Sequence, residues 1–360
     1  QSGSYGTAEA VPLSKAGLGG RGRMRFLGVL FLLFLLVVGA AVAVGAYLVY
    51  EPVGPPVGTP DEKAIFVDIA PGTATPEIAA QLEQAGAIRS RYAFDVLRAV
   101  KGGKLLAGEY RFNEPAAATE VYARIVHGDV FTLSLTIPEG YNIFDIAQAV
   151  EAAGLGRRDA FLAAERSQTA LIADLSPGAE SLEGYLFPDT YRFPRRNTPG
   201  QLLTAMVHRF RQVAAQAGLM AEGADGVART VVMASLIEKE VSQDSERPLV
   251  AGVFVNRLAR GMPLATDPSV VYAALLAGRY RGTIYASDLQ FDSPYNTYRH
   301  TGLPPGPICN SGLAALRAAI EPAQTDYLYF VADAQGHSRF SATLEEHAQQ
   351  VQEYRRAIGK

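Results

Sequence analysis

Residues 231–267 read VVMASLIEKEVSQDSERPLVAGVFVNRLARGMPLATD, and the rest of the chain is organised around them. Apolar residues recur at helical spacing on both sides of a polar segment, which predicts one helix over 227–241 and another over 248–260. Pro248 suits the first position of a helix, and Gly261 suits the position just beyond a helix end. The stretch therefore predicts two helices joined by a short polar turn.

The first of these helices carries two glutamates with different predicted surroundings. At about 100° per residue, Glu240 shares a helix face with Leu236 and Ile237. Glu238 lies on the opposite face, beside Ser235. Burial against apolar side chains raises the pKa of a carboxyl group and favours its protonated form, which a general acid requires near neutral pH. Helix geometry alone leaves two interpretations of Glu240: a general acid, or the point where the apolar face ends.

Composition excludes several classes of protein. The 360 residues are enough for about two or three domains with a sizeable core. With 33 basic and 36 acidic residues the formal net charge is −3, so we expect no nucleic acid partner. The five histidines lack the spacing of a metal site, and we expect neither a metal nor a cofactor. Cys309 is the one cysteine, so packing, without an internal disulfide, must stabilise the chain.

The segment 26–50 contains no charged residue and is long enough, at about 1.5 Å per residue, to cross a hydrocarbon core of about 30 Å. Basic residues precede it and acidic residues follow it, which predicts a cytoplasmic tail over 1–25 and an extracytoplasmic chain beyond the span. A cleaved signal peptide is the alternative, but its apolar region is usually shorter. We therefore expect a retained single-pass anchor. The proline-rich residues 51–63 predict a stiff linker that lifts the following domain off the membrane.

A pattern of apolar residues and glycines occurs twice after the linker. Gly72 recurs 68 positions later as Gly140, and the sequence GEYRF that ends the first copy resembles the DTYRF that ends the second. Each copy predicts a strand, two helices and a second strand, a layout similar to that of LysM modules, which bind N-acetylated glycan chains. The pattern predicts a LysM-like subdomain over 64–133 and a second LysM-like unit over 134–165, although both could be packing units only.

Six motifs in the second half of the chain occur in a fixed order: MASLIEKE, VFVNRL, LATDPSVVY, SPYNTY, GLPPGPI and YLYFVAD. Together they resemble the MltG/YceG family of endolytic murein transglycosylases over about residues 64–356. The resemblance implies an α+β fold with a catalytic domain over 134–356. It also implies a lyase that cleaves the MurNAc–GlcNAc bond within nascent peptidoglycan glycan strands, leaves 1,6-anhydro-MurNAc ends and so terminates glycan elongation. The implied location is the bacterial cytoplasmic (inner) membrane, with peptidoglycan synthases as candidate partners.

The resemblance also assigns the catalytic residue. The family's catalytic glutamate is the second Glu of the EKE motif, which is Glu240 in this sequence and the residue that helix geometry selects. Val241 stands where a small polar Thr often follows, which leaves open how Glu240 is oriented. The candidate substrate-binding residues are Glu183, Thr266, Asp267, Tyr295, Asn296 and Tyr298.

These candidates have structural interpretations as well. Thr266 or Asp267 could cap the helix that begins at Pro268, and the tyrosines could pack their own loop. Two other functions remain open. One is a hydrolase in which Asp267 or Glu183 activates water. The other is a non-catalytic, membrane-tethered peptidoglycan-binding protein that recruits synthases through its LysM-like units.

Overall fold

The computed structural model describes residues 20–58, 60, 63–241 and 243–357, with side chains from Met24 onward. Most of the predicted cytoplasmic tail lies outside the described residues, and so does Ser242 in the predicted turn. The chain divides into two compact units, one ending at Phe131 and one beginning at Thr132, which we call unit 1 and unit 2.

Unit 1 begins with helix α1 (Gly20–Tyr50). Its segment Met24–Tyr50 has a mean hydropathy of 3.0, and its most apolar part is not buried against the rest of the protein. The segment is long and apolar enough to cross a membrane. The remaining elements are β1 (Ile65–Ile69), α2 (Thr75–Gln84), α3 (Arg91–Lys101), β2 (Gly108–Phe112) and α4 (Ala118–His127). Strands β1 and β2 pair antiparallel, and their inward side chains form one core with α2, α3 and α4.

The segment that follows α1, which the sequence predicts to be a stiff linker, makes contacts with the rest of unit 1. Val53 and Ala116 exchange two backbone hydrogen bonds of 3.0 Å, which forms an isolated β-bridge to unit 1. The Arg89 guanidinium donates to the Pro52 carbonyl at 3.1 Å and lies 5.0 Å from the ring of Tyr47 in α1. The bridge forms because Val53, unlike the prolines near it, has a backbone N–H to donate. The described part of the linker, residues 51–58, is therefore held against unit 1.

Unit 2 combines helices with two-stranded sheets, which confirms a mixed helix and strand fold. Its elements are β3 (Leu133–Thr136), α5 (Ile143–Ala152), α6 (Arg158–Ser167), β4 (Thr190–Phe193), α7 (Pro199–Gln216), α8 (Gly223–Glu240), α9 (Arg247–Ala259), α10 (Asp267–Leu276), α11 (Ala286–Leu289), α12 (Leu313–Ile320), β5 (Tyr329–Ala332), β6 (Ser338–Ser341) and α13 (Leu344–Ala357). Strand β3 pairs antiparallel with β4, and β5 pairs antiparallel with β6. The order β3, α5, α6, β4 repeats the order found in unit 1.

Helix α8 lies in the core of unit 2. All of its residues from Val231 to Ile237 are buried, so the helix has no solvent-facing side along this length. Ser235, on the face opposite Glu240, is fully buried, and its hydroxyl accepts a hydrogen bond of 3.0 Å from the Ile308 backbone. The loop before α12 packs on the face of α8 that carries Ser235 and Glu238. Both faces of α8 are therefore covered.

Candidate active site

Glu240 is the last residue of α8, where the chain leaves the core. The helix ends because Val241 adopts an extended conformation, with φ −135° and ψ 138°. The Glu240 side chain is partly buried, as the sequence predicts. Burial and, to a smaller extent, the negative charge of Asp267 raise the pKa of Glu240, and the positive charge of Arg257 opposes them; the net result is a pKa of about 7. The carboxyl group is therefore divided between its two protonation states near neutral pH.

The position of Arg257, on α9, is fixed by the loops around it. Its Nε donates to the Leu328 carbonyl at 2.7 Å, and its Nη1 donates to the Leu264 carbonyl at 2.7 Å. The guanidinium also lies 5.4 Å from the centre of the Tyr329 ring. These contacts hold a cation near Glu240. Sequence reasoning missed Arg257 as a site residue, although it lies inside the VFVNRL motif.

Asp267 is the first residue of α10 and is exposed. The Tyr298 hydroxyl donates to its Oδ1 at 2.7 Å. Burial raises the pKa of Tyr298 above its ordinary value, and the hydrogen bond to Asp267 and the charges of Asp267 and Glu240 raise it further. Tyr298 therefore stays neutral and keeps its proton. The Tyr298 side chain is still 40% exposed, so its ring is available to a ligand.

A strained turn and a buried hydroxyl network position Asp267. Ala265 has φ 53°, and within the described chain it is the only residue other than glycine with a positive φ; such a conformation costs about 1 kcal/mol. The Thr266 backbone donates to Thr297 Oγ1 at 2.9 Å, and Ser269 Oγ donates to the Thr266 carbonyl at 2.7 Å. Thr266 stands at the N-cap position of α10, but its side chain makes no capping hydrogen bond and is buried.

Two further candidates, Asn296 and Tyr295, lie in the loop before α12, which also carries Tyr298. Asn296 is fully buried, and its Nδ2 donates to the Leu289 carbonyl at 3.0 Å and the Phe291 carbonyl at 2.8 Å. Its Oδ1 accepts from the Tyr298 backbone at 3.1 Å. The Asn296 amide therefore makes its hydrogen bonds within the protein. The predicted contact with substrate needs an accessible side chain, which Asn296 does not have in this structure. Tyr295 is partly buried, with its ring centre 5.1 Å from that of the buried Tyr272.

Glu183 belongs to a separate buried cluster. Its Oε2 accepts from the Ile143 backbone at 2.9 Å, and its Oε1 accepts from Asn310 Nδ2 at 2.8 Å. Burial raises the pKa of Glu183 to about 8, although the hydrogen bonds from Ile143 and from the Tyr272 hydroxyl lower it. With 2% of its surface exposed, Glu183 has no access to a glycan or to bulk water in this structure. It joins the start of α5 to the loop before α12.

The first glutamate of the EKE motif also has a structural position. Glu238 Oε1 lies 3.0 Å from Arg247 Nη1, and the two side chains are only 6% and 5% exposed. Glu238 Oε2 accepts a hydrogen bond of 2.9 Å from the Gly312 backbone. This ion pair links the end of α8 to the start of α9. The structure thus brings Glu240, Asp267, Tyr298 and Arg257 into one group and keeps Glu238 in another.

Comparisons with known proteins agree with this architecture. The model of the YceG-like family matches residues 67–353. A relative from Bacillus subtilis (strain 168), named endolytic murein transglycosylase, is 32% identical over 327 residues, which cover 86% of this chain and 90% of the relative. A relative of the same name from Streptococcus pneumoniae serotype 2 (strain D39 / NCTC 7466) is 30% identical over 357 residues, with 90% of this chain and 65% of the relative covered.

A solved structure is similar as well. The 2.6 Å crystal structure of a YceG-like protein from Listeria monocytogenes has a TM-score of 0.52 and 33% sequence identity. The match covers 79% of this chain and 98% of that chain. The family model spans more than half of the sequence, and the first relative is matched over nearly its whole length. The chain therefore belongs to the YceG-like family.

Proposed function

We propose that this chain is an endolytic murein transglycosylase, a lyase that cuts peptidoglycan glycan strands internally, with Glu240 as its general acid. The observation that carries the choice of acid is the pKa of Glu240, raised to about 7 in a partly buried position at the end of the core helix. The relatives from B. subtilis and S. pneumoniae are named for this activity, which supports the reaction class. Membership of the YceG-like family supports peptidoglycan as the substrate.

The first chemical step is proton donation. Protonated Glu240 gives its proton to the glycosidic oxygen that leaves C1 of N-acetylmuramic acid, while positive charge develops on the sugar ring. The electron pair of the C1–O bond goes to the departing N-acetylglucosamine. A group with a pKa of about 7 suits this step because it is still partly protonated at neutral pH and becomes a base after losing its proton.

The second step forms the anhydro end. The Glu240 carboxylate removes the proton of the C6 hydroxyl of the same muramic acid, and the C6 oxygen bonds to C1. The nucleophile is part of the substrate, so its effective concentration is high and no positioned water is needed. One carboxyl group therefore serves as acid and then as base, and the product ends in 1,6-anhydro-N-acetylmuramic acid.

The neighbours of Glu240 have distinct roles in this proposal. The charge of Asp267 favours the proton on Glu240 and faces the positive charge that develops on the sugar. Tyr298 holds Asp267 through its hydroxyl and presents an exposed aromatic ring on which a sugar can stack. Arg257 limits the rise in the pKa of Glu240, so that the group can also act as a base. Thr266 and Asn296 act indirectly, by positioning Asp267 and Tyr298.

Unit 1 contributes attachment in this proposal. Helix α1 anchors the chain in the bacterial inner membrane, with its N-terminus in the cytoplasm and the catalytic unit outside. The order β1, α2, α3, β2 and the antiparallel pairing of the strands support a LysM-like glycan-binding role for residues 64–133. Peptidoglycan synthases are candidate partners. A tether without catalytic activity would need the same unit but would have no use for the raised pKa of Glu240.

A hydrolase is the second candidate function, and one observation favours it. Asp267 is an exposed carboxylate within the electrostatic surroundings of Glu240, and such a group could activate a water molecule. The two reactions differ in their products. Hydrolysis leaves a reducing end that is one water heavier than the anhydro end, so mass spectrometry separates the two candidates.

The test compares the wild type with Glu240→Gln on uncrosslinked glycan strands, and the products are analysed by mass spectrometry. We expect the variant to lose anhydro-ended products by a factor of about 10²–10⁴, which is typical of removing a general acid. Glu321→Gln, at an exposed glutamate just beyond α12, is the matched control and should keep the wild-type rate. Anhydro-ended products at an undiminished rate from Glu240→Gln would overturn the assignment.

A further inference from the structure

Helix α3 of unit 1 carries an apolar stripe that faces solvent. Tyr92, Val96 and Val100 are 66%, 58% and 79% exposed and follow one another at intervals of four residues, which keeps them on one helix face. Phe94 and Leu97 on the other side of the helix are buried in the core. Apart from α1, no other helix in the described chain has more than one large apolar side chain exposed. A contiguous exposed stripe of this kind marks an interaction surface.

The stretch of sequence that contains the stripe is strongly basic. Between positions 89 and 104 the one acidic residue is Asp95, and the local net charge is +4, although the whole chain has a net charge of −3. The five basic residues are Arg89, Arg91, Arg98, Lys101 and Lys104. Apolar side chains that include tyrosine, combined with basic residues on the same short helix, are typical of helices that lie in a lipid–water interface.

The stripe begins beside the membrane span. Helix α1 contacts α3, and the Arg89 guanidinium, two residues before α3, lies 5.0 Å from the ring of Tyr47 in the last turn of the span. The apolar segment Met24–Tyr50 has 27 residues. At about 1.5 Å per residue this is longer than a hydrocarbon core of about 30 Å requires, so its final turns lie at the level of the lipid headgroups. The bridge between Val53 and Ala116 fixes unit 1 at that level.

We propose that α3 docks on an anionic lipid surface, namely the bilayer that α1 crosses, with Tyr92, Val96 and Val100 in the interface and the surrounding basic residues against lipid phosphates. The proposal rests on the membrane anchor given under the proposed function. Docking holds unit 1 at the membrane by two contacts, the span and α3, so that it cannot swing freely on a single tether. Anionic lipid strengthens this contact because the basic residues are attracted to its surface potential.

The test uses the absence of tryptophan from the sequence. The full chain with Val96→Trp is reconstituted into vesicles of phosphatidylglycerol and phosphatidylcholine that contain brominated phospholipid, a contact quencher of tryptophan. Asp68→Trp is the matched control. Asp68 is exposed on β1 between the buried Val67 and Ile69, so it lies on the sheet face away from the helices. We expect roughly twofold quenching at position 96 and little at position 68, because interfacial helices bury their apolar face about 5–10 Å deep.

A second variant tests the electrostatic part. Arg91→Gln with Lys101→Gln, in the Val96→Trp chain, should weaken quenching in phosphatidylglycerol vesicles and should change it little in vesicles of phosphatidylcholine alone. Equal quenching at positions 96 and 68 overturns the proposal. The proposal is also overturned if the tryptophan at position 96 is protected from the quencher and this protection disappears when the protein is diluted in lipid. A second copy of the chain, and not the bilayer, would then cover the stripe. Failure of the chain to float with the vesicles would instead show that the anchor is absent, independently of any catalytic measurement.

Discussion

Burial raises the pKa of both Glu183 and Glu240 in unit 2, yet the surroundings of the two carboxyl groups differ. Glu183 accepts hydrogen bonds from the Ile143 backbone and the Asn310 amide. In the part of the chain that the structure describes, no N–H or O–H group donates to the Glu240 carboxyl, and its neighbours act on it through charge. A buried carboxyl group whose oxygens are occupied by protein donors stabilises the fold, whereas one without such donors is available to a substrate.

The largest stability effect in this comparison is expected for Glu183→Ala. The substitution leaves the Ile143 N–H and the Asn310 amide without their acceptor in a buried position, which costs about 2–5 kcal/mol of folding free energy. Urea denaturation measures this loss. Glu180→Ala, at an exposed glutamate three positions earlier, is the control and should leave stability almost unchanged. If Glu183→Ala unfolds like the wild type, the structural reading of this cluster is wrong.

Glu240→Gln should have the opposite effect on stability. The pKa of Glu240 is about 7 in the folded chain against 4.5 for the free side chain, so stability from its neutral form is complete below pH 4.5 and is lost as the pH rises through 7. Glutamine does not ionise, so the variant should be more stable than the wild type by about 1–3 kcal/mol at pH 8 and equal to it at pH 4. Thermal unfolding at both pH values measures the difference, and a variant less stable at pH 8 would contradict the account.

The smallest effect concerns the charge beside the acid. Asp267 raises the pKa of Glu240, so Asp267→Asn lowers it and moves the alkaline limb of the pH–rate profile to lower pH. We expect the cleavage rate to fall roughly threefold more at pH 8 than at pH 5. Tyr298→Phe keeps the charge of Asp267 but removes a hydrogen bond to it, so the limb should move less. A uniform loss of rate at all pH values after Asp267→Asn would mean that Asp267 acts through substrate binding alone.

Much of the fold follows from local sequence signals. The predicted correspondence of Gly72 with Gly140 is reflected in the backbone, because both residues have positive φ values, of 85° and 79°. Each of these glycines follows the first strand of a strand–helix–helix–strand unit, where only glycine adopts the turn without strain. The partial burial of Glu240 agrees with its predicted position on the apolar face of the helix, because it lies one turn after the buried Leu236 and Ile237.

The parts that the sequence could not predict depend on contacts between distant positions. Glu183 and Asn310 are separated by 127 residues, and no local pattern indicates that one buries the other. The same holds for Val53, which pairs with Ala116. The contacts of the Asn296 amide with the carbonyls of Leu289 and Phe291 are local, but they lie in a segment without a repeating sequence pattern. From the sequence alone, a polar residue in a loop motif is a candidate for binding a sugar. The structure is needed to show whether its side chain faces solvent or the protein interior.

The role of Glu240 as the general acid is tested most directly by its pKa, measured by NMR titration of the chain with ¹³C-labelled glutamate carboxyl groups. The resonance that disappears in Glu240→Gln identifies the residue. We expect a midpoint of about 7 that moves to lower pH in Asp267→Asn. A midpoint near 4.5, the value of an unperturbed glutamate, would contradict the claim that Glu240 is held as an acid at neutral pH.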